Sequence, residues 1–458
     1  MMDVEILSRI QFALTVSFHY IYPPLSIGLG LLMVIYEGLY LKTKDKDYER
    51  LAFFWTKIFA LTFGIGVATG IVMEFEFGTN WATYSRYVGD VFGSALAAEG
   101  IFAFALESGF LGVLLFGWNR VSSPVHFIAT VGVFLGSMFS AVWIVVANSW
   151  QQTPAGYHIV GEGMSARAEI TDFWAMVFNP SSVERLLHVW LGAFLAGAFL
   201  VLSVHAYYIL KNRHVEISKK AFRIALAVAT IFSLGQLFTG HLSADGVAEN
   251  QPAKLAAFEG HFDASAPAPL YLFGWVDKEK QEVTGLAIPG GTSFLLHQDF
   301  EAPVTGLKAF PEDERPPALN AVFQFYHLMI TIGMILIGLT LLASFLAWRG
   351  KLFTNKWVMK VFVGAVFLPQ IANQVGWFSA EMGRQPWVVY GLLRTSDALS
   401  AVVTANQVLF SLIMFTVVYA VLFALFIYLL NKKIQHGPKD GDVIDQRPRQ
   451  AEMAEAFE

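Results

Sequence analysis

Charge is missing from this sequence in long blocks, and the length of those blocks decides the fold class. Nine runs of about 20 residues or more carry almost no charged side chain; a bilayer crossing needs about 20, a soluble core helix only about 14. They extend from about Gln11 to Tyr40, Leu51 to Met73, Val91 to Trp118, Val125 to Trp150 and Leu186 to Leu210. The others are about Ile224 to Leu242, Leu319 to Trp348, Val361 to Ala380 and Val402 to Leu430. Only 15% of the 458 residues are charged, against about 25% in a soluble domain. Helices satisfy every backbone hydrogen bond internally in lipid, and the alternating pattern of a membrane barrel is absent. The expectation is an all-α, multi-pass integral membrane protein with about nine spans.

Lys and Arg set the orientation. They collect after span one (Lys42, Lys44, Lys46, Arg50), span five (Lys211, Arg213, Lys219, Lys220, Arg223), span seven (Arg349, Lys351, Lys356) and span nine (Lys432, Lys433). These connections all fall on one side, expected to be cytoplasmic, with the N-terminus outside. The interval from Ser243 to Ala318 lies opposite and holds 12 acids against 5 Lys and Arg. The chain thus divides into spans one to six (1–242), an outer loop (243–318), spans seven to nine (319–431) and a charged cytoplasmic tail (432–458), expected to be disordered. Asp3, Glu5 and Arg9 precede the first run without a small-residue cleavage site, so no removable signal peptide is read. A net charge of −5 without a basic, aromatic-interleaved patch carries no hint of nucleic acid, and none is expected as a partner. The absence of Cys excludes disulfides, thiolate metal sites and iron–sulfur clusters.

Ionisable groups inside spans are costly unless they face the protein interior and find partners. Among those present are His19, Glu99, Glu107, His188, His205 and His327 (close to Met329), with Glu381 and Arg384 where span eight ends. By the topology, His19, Glu99, His188, His327, Met329 and Glu381 converge on the outer half of the bilayer. Histidines, a methionine and carboxylates without cysteine suit haem iron, which takes His or Met axially, better than zinc. Glu99 and Glu107 are about two turns and 12 Å apart on one helix, with Glu107 deeper, as a proton relay from the cytoplasm requires. His205 reads as packing, and Glu37, Glu74 and Glu76 as interfacial. A proton-coupled transporter using Glu99 and Glu107 without haem is the competing reading; the lack of an internal repeat speaks modestly against it.

Several segments resemble subunit I of the cytochrome bd-type quinol oxidases. They are Ser8-Arg9-Ile10-Gln11-Phe12-Ala13, Gly78-Thr79-Asn80-Trp81 with Tyr87-Val88-Gly89-Asp90, and Lys254-Leu255-Ala256-Ala257-Phe258-Glu259. The longest is Trp377-Phe378-Ser379-Ala380-Glu381-Met382-Gly383-Arg384-Gln385-Pro386-Trp387. The resemblance implies a terminal oxidase of the bacterial inner membrane that oxidises quinol outside and reduces dioxygen to water with cytoplasmic protons, building protonmotive force. It implies His188 and Met329 as axial ligands of a low-spin haem b, and His19 and Glu381 as ligands of two high-spin haems with Glu99 beside them. One of those haems is b; whether the other is haem d or a third haem b stays open. Glu107, Ser108 and Ser140 would form a proton route, Lys254 and Glu259 would act on quinol, and Arg9 and Arg384 would pair with propionates or carboxylates. Trp377 belongs to the same cofactor-binding signature. A second oxidase subunit is implied, and a small single-helix third subunit is left open. Two departures are visible: His327 stands where much of the family has Arg, and the outer loop is of the short type.

Overall fold

The computed structural model describes residues 3–438. Among them are nine helical spans: Val4–Thr43, Lys46–Thr79, Gly89–Phe116, Ser123–Gln152, Ser182–Leu210, Val215–Asn250, Leu319–Trp348, Lys356–Gly383 and Ala405–His436. Spans one and five form the centre. Their backbones cross in contact at Gly28 and Gly197, where a Cβ on Gly28 would sit 2.7 Å from the Gly197 Cα; small residues allow this approach where lipid offers no hydrophobic drive.

The basic connections meet at one end, as the charge pattern requires. Lys220 Nζ lies 2.5 Å from Asp45 and 2.6 Å from Asp47, the Arg213 guanidinium donates to the Gln435 carbonyl at 2.6 Å, and Arg223 covers the Phe353 ring. At the opposite end lie three two-stranded antiparallel pairs, Tyr157–Val160 with Arg167–Ile170, Leu270–Asp277 with Glu282–Ile288, and Trp387–Val389 with Leu393–Arg394. These small sheets were not read from the sequence: two of the pairs have strands of two to four residues, and the third lies in a loop read by its charge alone.

Three spans are irregular, two of them where chemistry is expected. Span one is two helices, Val4–His19 and Tyr22–Thr43; Pro23 and Pro24 take first-turn positions of the second, where their missing donors cost nothing. The break leaves His19 on the last turn of the first half. Span three passes through a π-helical turn at Glu99–Phe104, a distortion concentrated at functional sites. Span eight breaks between Gly364 and Phe367, ahead of Pro369. Span six runs eight residues beyond the expected Leu242, to Asn250, since hydropathy registers the end of apolar sequence and not the end of the helix. Span nine likewise continues to His436. The tail expected to be disordered lies outside the described residues from 439 onward.

Candidate haem, proton and quinol sites

Two of the expected ligands are held in the same way. His19 Nδ1 lies 3.0 Å from Thr69 Oγ1, and His188 Nδ1 lies 3.1 Å from Thr239 Oγ1. Each threonine hydroxyl has a further acceptor for its own proton: Ile65 and Gly66 carbonyls for Thr69 at 2.9 and 3.0 Å, and Gln236 Oε1 for Thr239 at 3.0 Å. The hydroxyl therefore accepts from Nδ1–H, which leaves the lone pair on Nε2. A metal-ligating histidine is oriented by this kind of outer contact. Gly70 and Gly240 lie against the two imidazoles: a Cβ would sit 3.2 Å from the His19 ring at Gly70 and 3.7 Å from the His188 ring at Gly240.

Span eight joins the ligands. A Cβ at Gly376 would be 2.8 Å from Met329 Sδ, so the glycine lets the thioether lie directly against span eight. The next residue, Trp377, meets Tyr20, neighbour of His19, edge-on at 5.6 Å and carries the Arg185 guanidinium over its ring at 5.9 Å. Arg185 is one turn before His188. Glu381, one turn beyond Trp377, bonds Arg384 at 2.6 Å and accepts from Asn148 at 3.1 Å. Arg384 is buried and also donates to Gln151 and to the Val388 carbonyl, both at 2.7 Å. Arg9 pairs with Glu5 at 3.6 Å at the surface.

The carboxylates of span three both face span four. Ser140 donates to Glu99 at 2.5 Å, and Ser137 donates to Glu107. Ser137, not Ser108, is the hydroxyl on Glu107: Ser108 is exposed and returns its hydrogen bond to the Ala105 carbonyl, because adjacent helical residues point about 100° apart. Further along the same face, Thr130 donates to Glu37 at 2.8 Å and His126 Nδ1 lies 3.1 Å from it. Glu37 is thus a buried partner and not an interfacial group. Glu76 is buried as well, while Glu74 is exposed as expected. His205 is a packing residue, between Trp55 and Ser218.

Lys254 and Glu259 lie on the helix Pro252–Glu259, both buried, and do not pair with each other. Five residues apart, they point about 140° from one another. Lys254 Nζ donates to Gln152 at 2.9 Å, and Gln152 donates to Glu381 at 3.4 Å, so one side chain separates the outer loop from Glu381. Burial first, then the Arg185 and Arg384 charges, hold the Lys254 amine well below its ordinary range against the pull of Glu381. Burial raises Glu259 to about 7, opposed by its contact with Tyr326. Glu259, Tyr326 and His327 line a cavity of about 540 Å³ walled by Tyr271, Ile330 and Met334.

The sequence profile described as cytochrome bd terminal oxidase subunit I matches residues 7–438. The chain belongs to that family. The terminal oxidase subunit is 38% identical to cytochrome bd ubiquinol oxidase subunit 1 of Bacillus subtilis, over 95% of this chain and 94% of the relative. It is 34% identical to cytochrome bd-II ubiquinol oxidase subunit 1 of Escherichia coli, over 96% and 98%. It superimposes on the bd oxidase of Geobacillus thermodenitrificans with a TM-score of 0.87 at 32% identity, covering 95% of this chain and 99% of that one. The oxidase subunit is accordingly an oxidoreductase and a multi-pass protein of the bacterial inner membrane.

The sequence did not single out Ser137, Gln152, Asn148, Arg185, Tyr326 or the Glu37–His126 pair. A polar stripe in span four (His126, Thr130, Ser137, Ser140), at spacings of four, seven and three, was the available signal.

Proposed function

We propose that this chain oxidises quinol in the Glu259 cavity at the outer face and carries the haems at which dioxygen becomes water, using protons drawn from the cytoplasm. The observation that carries the reading is the repeated threonine–Nδ1 contact that leaves Nε2 of His19 and His188 free to ligate. His188 and Met329 would hold a low-spin haem b, and His19 and Glu381 two high-spin haems, one b and the other d or b, with Glu99 beside them. Haem bound there supplies one-electron transfer and oxygen reduction, and a His/Met pair raises the reduction potential. Arg185 and Arg384 both act on the carboxylate Glu381, two guanidinium charges suited to propionates.

The chain's own groups handle protons. Glu259 takes a proton from the quinol hydroxyl, while Lys254, turned away from that cavity, holds Gln152 beside Glu381. Glu107 and Glu99, each bound to a serine of span four, form the inward supply. Consuming protons inside and releasing them outside separates charge without a pump. A second oxidase subunit is expected against span three, most of which this chain leaves uncovered; a small third subunit remains compatible with the open flank of span nine.

A reduced-minus-oxidised spectrum with haem extraction tests the reading directly, and a colourless purified complex would end it. Glu259→Gln is expected to lower quinol oxidation on the order of 100-fold, the usual contribution of a positioned base. In the parent the rate should rise with pH through about 7, because only the ionised carboxyl accepts a proton; the variant should lose that limb. Oxygen reduction from an artificial donor should persist, and parallel loss of both activities would indicate misfolding instead. Thr239→Val, nearly isosteric, should weaken haem retention at His188 by about 10- to 100-fold, with Thr239→Ser restoring it. Unchanged haem occupancy in the valine variant would refute the orienting role of Thr239.

A further inference from the structure

The hairpin Leu270–Asp277/Glu282–Ile288 has its polarity in an unusual place. One face packs on span seven: Val276 is buried, and Tyr271, Val283 and Ala287 are half-buried. The other face should be polar if it met water. Instead Phe273 and Trp275 are each 64% exposed and Leu286 is 52% exposed, with Leu272 and Ile288 beside them. Phe273 pairs across the ladder with Leu286. All the charge is at the turn, from Asp277 through Lys280 to Glu282.

Three contacts fix how the hairpin stands against span seven. The Val276 amide donates to Asn320 at 3.0 Å, Gln324 donates to the Gly274 carbonyl at 2.7 Å, and His327 Nε2 lies 2.9 Å from the Tyr271 carbonyl oxygen. The strand therefore descends beside the first turns of the span, reaching about 12 Å below its start at Leu319. Span seven has 30 residues, about 45 Å, whereas the hydrocarbon layer is about 30 Å and the bilayer with headgroups about 40–45 Å. With Trp348 at the opposite interface, the first turns of the span stand at headgroup level. The apolar face of the hairpin continues into the exposed Ile330, Met334 and Ile335 of the span below it.

We propose that this hairpin is seated in the headgroup layer, its aromatic and aliphatic face against lipid and its charged turn in water. Tyr271, Leu272 and Phe273 also wall the 540 Å³ cavity, so the hairpin roofs that cavity at the lipid boundary. Aromatic side chains favour this depth. The continuity with a lipid-facing span selects lipid over a second protein chain as the occupant. The seating is independent of what the cavity holds.

The chain has no Cys, so nitroxides can be placed singly by Phe273→Cys, Trp275→Cys, Leu286→Cys and Lys280→Cys. The oxidase complex would be reconstituted in palmitoyl-oleoyl phosphatidylcholine vesicles, with the signal of the unsubstituted complex subtracted. Labels at 273, 275 and 286 are expected to collide several-fold more with dissolved oxygen than with a water-soluble nickel chelate, and the label at 280 the reverse. Nickel reaching the three face positions as readily as 280 would place the sheet face in water and overturn the proposal. Protection from both agents would show a protein covering the face and overturn it equally. Three face positions keep the test valid if one variant fails to fold.

Discussion

Replacing His188 by alanine, or Met329 by leucine, should abolish the low-spin haem b band in the reduced-minus-oxidised spectrum while the chain still inserts. Quinol-driven turnover should fall by more than about 100-fold, beyond the 10- to 100-fold typical of losing an outer contact to a ligand. Met329→Leu conserves volume, a change that usually costs less than about 1.5 kcal/mol in a core, and Gly376 leaves the same room for either side chain. His188→Ala removes the imidazole but leaves the Thr239 hydroxyl its bond to Gln236. Fold loss is therefore not the expected cause. The other haem signals should remain, since His19 is held by a separate threonine. A low-spin band unaltered in both variants would remove these residues from the ligand set.

Glu107→Gln is expected to leave haem content near normal and to slow proton-coupled oxygen reduction on the order of 100-fold. The amide oxygen of Gln can still accept from Ser137, and the helix approach at Gly136, where a Cβ would lie 2.9 Å from the Glu107 Cβ, is unchanged. Only the capacity to bind and release a proton is lost. Glu107→Asp keeps that capacity one methylene further from Ser137 and should be milder, as should Ser137→Ala, which removes a partner but not the acid. Parent-like turnover of the Gln variant across the neutral pH range would make Glu107 structural.

The spans were legible because lipid demands uninterrupted apolar length, and the ligands because ionisable groups are rare there. Partnerships were less legible. Ser108 adjoins Glu107 in sequence yet faces away, whereas Ser137, 30 residues on, faces it; helix rotation decides this, and only packing shows which faces meet. Glu37 seemed to belong at an interface because its partners lie 89 and 93 residues away. Lys254 and Glu259 read together as groups acting on quinol, but the helix turns them toward different spans. The outer hairpin, an ordinary loop by charge count, became distinct only when its register against span seven was known.

Span four bonds to carboxylates from three other spans: Glu37 on span one, Glu99 and Glu107 on span three, and Glu381 on span eight. The first three emerge from the ribosome before it, but Glu381 follows Asn148 by 233 residues. During synthesis, the inner part of span four can therefore leave the translocon with its partners already in place. Its outer part, with Asn148, Gln151 and Gln152, must wait in the membrane for span eight. A nascent chain halted between those two points should be the species most dependent on insertion chaperones, and the one quality control removes first.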